Sequence, residues 1–172
     1  MDTSGDQKMV LEAVDIGISD ADRAAVTGAL SNLLADTYTL YLKTHNYHWN
    51  VTGARFRDLH LMFEEQYNEL ALAVDDIAER IRTLGAKAPG SYASFARLAK
   101  VADADDSLES PDSEQMLDHL ALDNATVVRT ARHALELAEG ANDESSASLI
   151  SDRMVVHEKS AWMLRSMQAK QG

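Results

Sequence analysis

Apolar residues recur at helical spacing through four long segments of the chain, and no segment alternates with the period of two that indicates a strand. Polar cap residues and glycines mark where each apolar segment begins and ends. The long helices are predicted over residues 20–50, 56–84, 112–140 and 144–168, with a short helix over 92–101 in the long connection between the second and third. This pattern predicts an all-α four-helix bundle.

The connection lengths predict how the helices are arranged. Short connections make the first and second helices antiparallel neighbours, and likewise the third and fourth, while the long connection travels the length of the bundle. Trp162, in the last helix, is expected to pack in the core. The organisation is one helical domain with a tail at each end. The predicted units are a flexible acidic tail at 1–18, the bundle at 19–168 and a short tail at 169–172.

Composition narrows the class of protein. The 172 residues include no cysteine, which excludes disulfides and thiolate metal sites. No apolar run approaches the ~20 residues that span a bilayer, and the N-terminus does not resemble a secretory signal, so we expect a cytoplasmic protein. The formal charge is −12, with no cluster of Lys and Arg to bind phosphates. An acidic surface of this kind attracts cations.

The second helix carries metal-binding side chains along one stripe, between its apolar face and its outward acids. On a helical wheel His60, Glu64, Asp75 and Glu79 fall within about 100° of each other. An ordinary amphipathic helix does not require such a stripe, and imidazole and carboxylate are both ligands for transition metals. The apolar residues on the adjoining arc are Leu59, Phe63, Leu70, Val74, Ile77 and Ile81.

The rise of the helix separates these residues into two pairs. His60 and Glu64 are one turn apart, as are Asp75 and Glu79, but the pairs lie roughly 22 Å from each other. Opposite ligands of one ion are only ~4–5 Å apart, so both pairs cannot bind the same ion within one chain. Two copies of this helix packed antiparallel across a two-fold axis would bring them together. The prediction is two symmetric metal sites at a dimer interface.

His48 extends the proposed ligand set. It lies near the end of the first helix, and the intervening turn can fold it back beside His60. His48, His60 and Glu64 of one chain would then meet Asp75 and Glu79 of the other. Such a set suits Fe(II), and would also accept Zn or Mn. A single helical histidine is usually structural and an acidic pair is usually a solvated face, so the metal interpretation depends on all five together.

Two longer motifs include these residues. One lies on the first two helices and one on the last helix. The first comprises His48 to Val51, Gly53, Phe56, Leu59-His60, Phe63-Glu64, Asp75, Ala78 to Ile81 and Leu84-Gly85, and the second comprises His157 to Lys159 and Ala161 to Arg165. Together they resemble the Dps mini-ferritins of the ferritin-like superfamily, and the resemblance covers residues 20–168. It implies a ferritin-like bundle whose long crossover carries a short helix.

The resemblance also implies an activity and an assembly. Mini-ferritins oxidise Fe(II), with hydrogen peroxide preferred over dioxygen, store ferric mineral inside a hollow dodecamer and so limit oxidative damage. Their di-iron or mono-iron ferroxidase sites lie across two-fold interfaces. The resemblance implies that the ligands are His48, His60 and Glu64 of one subunit with Asp75 and Glu79 of its neighbour. Position 64 is often Asp in this family, and the longer Glu is expected to alter reach without losing function.

Four further residues have roles implied by the resemblance. Trp49 would sit against the iron site and supply an electron, although an aromatic residue that packs the interface is an equal alternative. Asp143 and Glu144, with Asp152 as a weaker candidate, would line an acidic three-fold pore for iron entry. The alternative for these acids is a surface loop, because Asp and Glu also favour helix starts.

Two other functions compete with the ferroxidase. One is a nucleoid-associated DNA-binding protein in which iron oxidation is secondary, but the tails are acidic or short, so direct DNA binding is not expected. The other is a haem-binding cage of the bacterioferritin type. That type needs Glu-x-x-His motifs on two helices of one bundle, which the sequence lacks, so no haem is expected.

Overall fold

Five α-helices form the protein in the computed structural model, which describes residues 11–104 and 111–168. The helices are α1 (Asp20–Asn50), α2 (Phe56–Thr83), α3 (Tyr92–Leu98), α4 (Ser113–Gly140) and α5 (Glu144–Met167). No strand occurs in these two ranges. The predicted all-α class is confirmed, and every predicted helix is present with ends within a few residues of those expected.

The helices pack as two pairs. α1 lies against α2, α4 lies against α5, and α1 also contacts α4 and the short α3. The predicted apolar stripe of α2 faces the core, since five of its six members are buried and Val74 is half-buried. No helix of the described ranges is both long and apolar enough to cross a bilayer.

One prediction about the core is wrong. Trp162 is 60% exposed, whereas its neighbours Ala161 and Leu164 are buried. Those two residues occupy the inward face of α5 here, and the adjacent position points away from the bundle. A large apolar side chain in a helix therefore does not identify the inward face by itself.

The long connection between α2 and α4 is held to the bundle by one buried carboxylate. Asp36 of α1 is fully buried, and its Oδ1 accepts hydrogen bonds from the backbone N–H groups of Lys100 and Val101, the latter at 2.8 Å. Its Oδ2 accepts from Thr130 Oγ1 of α4 at 2.7 Å. Asp36 thus joins α1, α4 and the crossover in the interior.

The segment before α1 is anchored at the far end of α2. The N–H of Glu12 donates to the carbonyl of Gly85 at 2.8 Å, and the side chain of Glu12 pairs with Arg82. Arg23, almost fully buried, donates to the carbonyls of Leu84 and Glu12. Gly85 has φ of +89°, and a Cβ there would lie 2.8 Å from Arg23 Nη1, so both its conformation and its surroundings favour glycine.

Three predicted segments fall wholly or partly beyond the described ranges. They are residues 1–10 of the acidic tail, residues 105–110 of the long connection between α2 and α4, and the C-terminal tail. Residues 11–18 of the predicted tail are attached more closely than the sequence indicated, through the contacts of Glu12.

Candidate metal centre

The turn between α1 and α2 brings two histidines into contact. α1 ends at Asn50, Gly53 adopts φ of +100°, and the N–H of Phe56 donates to the carbonyl of Gly53 at 3.0 Å. This tight reversal stacks the rings of His48 and His60, with centroids 3.8 Å apart and planes inclined by 20°. The expected approach of His48 to the start of α2 is therefore present in the structure.

Hydrogen bonds fix which nitrogen of each ring donates. His48 Nδ1 lies 2.8 Å from the backbone oxygen of His60, and His60 Nδ1 lies 2.8 Å from the backbone oxygen of His48. A carbonyl oxygen can only accept, so each Nδ1 carries the proton and donates it. Each Nε2 of a neutral ring then keeps its lone pair. Metal-binding histidines are held in this way, with the second nitrogen donating to a carbonyl that orients the ring and raises its basicity.

The three acidic candidates lie along α2. Glu64, one turn after His60, is half-buried, whereas Asp75 and Glu79 are exposed. Within residues 11–104 and 111–168 no three His, Cys, Asp or Glu side chains of one chain converge on a common point. The structure therefore brings together His48 and His60 but does not bring Glu64 into one cluster with them. Asp75 and Glu79 lie near the far end of the same helix. A complete site would need side chains from a second chain.

Aromatic rings surround the histidine pair on the α1–α2 face. Tyr67 lies edge-on to His48 with centroids 5.1 Å apart, and it stacks on His45 at 4.1 Å. The ring of Trp49 lies 4.0 Å from His45 and is 60% exposed. Trp49 thus contacts the surroundings of the histidine pair through His45.

Sequence reasoning did not single out His45 and Tyr67. The signal was present, because Tyr67 follows His60 by two helical turns and so falls on the same stripe of α2. His45 lies one turn before His48 and Trp49, on the same side of α1. Burial, and then the neighbouring His48, lower the pKa of His45, which favours its neutral form.

Asp143, expected at an entry pore, is engaged inside the protein. It is 3% exposed and caps α5, accepting from the N–H of Ser146 at 3.0 Å and its Oγ at 2.6 Å. Arg80 of α2 donates to it at 2.6 Å. Burial alone would raise the pKa of Asp143, but the hydrogen bonds from Ser146 and Arg80 lower it. Glu144 and Asp152 are exposed, so a pore role for these two stays a prediction.

A buried and a part-buried ion pair join helices of the bundle. Lys43 and Asp123, both buried, pair at 2.7 Å between α1 and α4. Arg153 of α5 pairs with Glu69 of α2. Each of these carboxylates is thus paired with a cation of the protein. In a metal site inside one bundle, the carboxylates would instead be paired with the metal ion.

His157 is a structural histidine of this interior. Its Nδ1 donates to Asn124 Oδ1 at 2.8 Å, and Arg153 lies 3.3 Å from its Nε2. Burial, with a smaller effect of Arg153, lowers its pKa to about 3. The imidazole is therefore neutral at neutral pH and serves the packing of α4 against α5.

Comparison with known proteins gives a consistent result. Residues 27–171 match the model of the ferritin-like domain. A low temperature-induced protein of Nostoc sp. is 38% identical over 154 residues, covering 89% of this chain and 85% of the relative. "DNA protection during starvation protein 2" of Bacillus anthracis is 32% identical over 141 residues, covering 82% and 94%.

A similar solved structure is a Dps protein of Vibrio cholerae, described as a member of a broad superfamily of ferritin-like diiron-carboxylate proteins. It superimposes with a TM-score of 0.83 at 33% identity, covering 92% of this chain and 98% of that one. The helix order and the long crossover thus follow those of an experimentally determined fold.

Proposed function

Because this chain belongs to the ferritin-like family and, within it, to the Dps proteins, we propose that it is a ferroxidase and iron store. It would oxidise Fe(II) with hydrogen peroxide or dioxygen and hold the Fe(III) mineral inside a hollow oligomer of the cytoplasm. Fe(II) and hydrogen peroxide together generate radicals, so removing both would protect the cell from oxidative damage. Iron is the substrate of this reaction.

The observation that carries the proposal is the reciprocal hydrogen bonding of His48 and His60. Both rings donate Nδ1–H to a backbone carbonyl before any metal arrives, so the neutral form of each ring presents the Nε2 lone pair that binds Fe(II). A histidine pair that only packs would not need an available Nε2 lone pair on each of the two adjacent rings. Glu64 adds a carboxylate one turn away on the half-buried side of α2.

Asp75 and Glu79 support an assembly in which each site is shared between subunits. They lie on the same helix as His60, on the stripe next to the core, yet too far along it to reach the same ion. Exposed apolar side chains, Trp49 at 60%, Phe56 at 45% and Leu72 at 71%, lie on the same two helices and would be covered by a partner. We infer a two-fold dimer as the unit of a dodecamer.

Subunit complementation tests both the ligands and their sharing. One variant carries His48→Ala and His60→Ala, and the other carries Asp75→Ala and Glu79→Ala. Each alone is expected to lack rapid Fe(II) oxidation. When the two variants are coexpressed in equal amounts and pair at random, about half of the dimers are heterodimers. One of the two sites in each heterodimer is intact, so about one quarter of all sites recover.

The complementation result has a clear contrary outcome. If the mixed oligomer is as inactive as either parent while its mass equals that of the wild type, the site is not shared. If either parent oxidises Fe(II) at the wild-type rate, the ligand assignment is wrong. His133→Ala is the matched control, because His133 is largely exposed on α4 and its replacement should leave oxidation unchanged.

A further inference from the structure

A cavity between α2 and α5 is lined by three methionines. Met62 of α2 and Met163 and Met167 of α5 border this space, whose volume is about 460 Å³. Met163 and Met167 are one helical turn apart and so lie on the same side of α5. Three of the five methionines in the described ranges therefore border one cavity, and both of its helical walls carry a thioether side chain.

Packing alone does not account for this arrangement. Methionine is flexible and often fills irregular gaps in a core. Met62 is buried, but Met163 and Met167 are only half-buried, and the space between the two helices stays open. Side chains that served as gap-fillers would close this space, whereas these three surround it.

The remaining lining of the cavity suits a cation. Asp58 and Glu65, both exposed on α2, also line it, and its lining includes no Lys, Arg or His. Two carboxylates without a cation among them give the cavity a negative potential that attracts positive ions. Trp162, the outward tryptophan of α5, lines the same cavity, and the face of an indole ring adds a further attraction for a cation.

An imidazole near this cavity is already engaged. An adjoining cavity of about 380 Å³ shares Met62 and Met163 with it and reaches the buried His157. The two ring nitrogens of His157 lie 2.8 Å from Asn124 Oδ1 and 3.3 Å from Arg153 Nη2. Thioether sulfur, beside the two carboxylates, is thus the donor that distinguishes this place in the fold.

The donor type identifies the class of ion. Thioether sulfur is a soft, uncharged ligand that selects Cu(I). Because the chain has no cysteine, methionine supplies its only sulfur ligands. We propose that Met62, Met163 and Met167 bind Cu(I) in the cavity between α2 and α5. None of the five proposed iron ligands lines this cavity, so the inference goes beyond the proposed ferroxidase function and does not rest on it.

A site for Cu(I) would matter in a protein that meets peroxide. Free Cu(I) passes one electron to hydrogen peroxide, which yields Cu(II), hydroxide and a hydroxyl radical. Cu(II) prefers nitrogen and oxygen ligands, whereas thioethers favour the monovalent ion. Binding by the three methionines would therefore disfavour that oxidation of the metal.

The first experiment uses Ag(I), a soft ion with the charge of Cu(I) that stays monovalent in air. The wild-type protein, isotope-labelled at its methionine methyl groups, is titrated with silver nitrate in chloride-free buffer and followed by NMR. Single Met→Leu variants assign the signals. We expect the signals of Met62, Met163 and Met167 to shift together until one Ag(I) is added per chain, while those of Met116 and Met154 stay. Mg(II), a hard ion, should move none of the five.

A variant without the histidine pair separates the two sites. His48→Ala with His60→Ala should show the same three shifts, because neither imidazole lines the cavity. Loss of the shifts in this variant would overturn the proposal. So would a wild-type protein in which the three signals do not move, or in which Met116 and Met154 move equally.

The second experiment measures Cu(I) itself, by competition with the chelator bathocuproine disulfonate under anaerobic, reducing conditions. Met163→Leu nearly keeps the volume of the side chain, so the fold is retained. We expect its Cu(I) affinity to fall by at least about tenfold, because losing a ligand should cost no less than losing an outer-shell partner of a ligand. Met154→Leu is the matched control, since Met154 is also half-buried on α5 but does not line the cavity.

The outcomes for Cu(I) and for Fe(II) are distinguishable. Equal Cu(I) affinity in Met163→Leu and the wild type would overturn the methionine site, whether or not the protein oxidises Fe(II). Cu(I) binding that Met163→Leu weakens and Met154→Leu keeps, in a protein that does not oxidise Fe(II), would support the methionine site and count against the proposed function.

Discussion

His48 and His60 each donate Nδ1–H to the backbone carbonyl of the other, both at 2.8 Å. The orientation of either ring is thus set by the backbone of its partner, across the α1–α2 turn. Neither ring can rotate without breaking a part-buried hydrogen bond, so the orientation of both rings is restricted. In the proposed function, these two imidazoles would form one half of a shared metal site.

Loss of the His60 ring should weaken iron binding. His60→Ala removes one proposed ligand, while the backbone oxygen of residue 60 that accepts from His48 Nδ1 remains. We expect Fe(II) affinity to fall by at least about tenfold, because losing a ligand should cost no less than losing an outer-shell partner of a ligand. Isothermal titration with Fe(II) under anaerobic conditions measures this, with His133→Ala as the control. Unchanged affinity in His60→Ala would contradict the assignment.

The buried His157 should make stability depend on pH. Its pKa is about 3 in the folded protein and ~6.5 in the unfolded chain, so below ~6.5 only the unfolded state takes up the proton. Its contribution is complete above pH ~6.5 and is lost as pH falls towards 3. From pH 7 to pH 5 the loss is about 2 kcal/mol per subunit.

Replacement of His157 tests this pH effect. Urea unfolding at equal subunit concentration should show a smaller loss of stability between pH 7 and pH 5 for His157→Gln than for the wild type. His133→Gln changes an exposed histidine and should keep the wild-type dependence. An equal pH dependence in His157→Gln and wild type would rule out His157 as its source.

Removal of Arg80 should destabilise the fold through Asp143. The Arg80 side chain is 18% exposed and that of Asp143 is 2% exposed, so Arg80→Ala leaves a buried carboxylate without its cation. We expect a loss of about 2–4 kcal/mol in the free energy of unfolding, near the range for buried pairs. Arg132→Ala breaks the exposed pair with Glu158 and should cost under about 1 kcal/mol. Similar losses in both variants would argue against a structural role for Asp143.

Asp36 should control the attachment of the crossover. Asp36→Ala leaves the amides of Lys100 and Val101 without their acceptor, and we expect a loss of about 2–4 kcal/mol. Hydrogen exchange should speed up at those two amides before it does in α1. Asp36→Asn keeps an acceptor oxygen and should retain most of the protection. Unchanged exchange in the alanine variant would refute this attachment.

The acidic surface should keep the protein off DNA. The chain carries a formal charge of −12, and an oligomer multiplies that charge, so phosphate backbones are repelled. A gel-shift assay at low salt and without added metal should show no retardation of duplex DNA. Tight retardation would favour the alternative of a nucleoid-associated protein.

The sequence predicted the fold closely because periodicity, caps and stop residues determine helices locally. The stripe of α2 followed from the same regularity, and the approach of His48 to His60 followed from the short turn between α1 and α2. Contacts between helices are a different matter. The engagement of Asp143 with Arg80 and the stacking of Tyr67 on His45 depend on the relative rotation of neighbouring elements, which spacing along one helix does not specify. Trp162 shows the same limit, since an outward tryptophan and an inward one have similar sequence surroundings.

The contact of Glu12 with the end of α2 bears on the order of folding. The bonds between His48 and His60 join residues separated by 12 positions, whereas the pair of Arg82 and Glu12 spans 70. Contacts between near residues close at lower entropic cost, so the α1–α2 hairpin should form first and the amino-terminal segment should dock later. A newly made chain would then form the His48–His60 hydrogen bonds before its amino-terminal segment docks on α2, and before it meets another subunit.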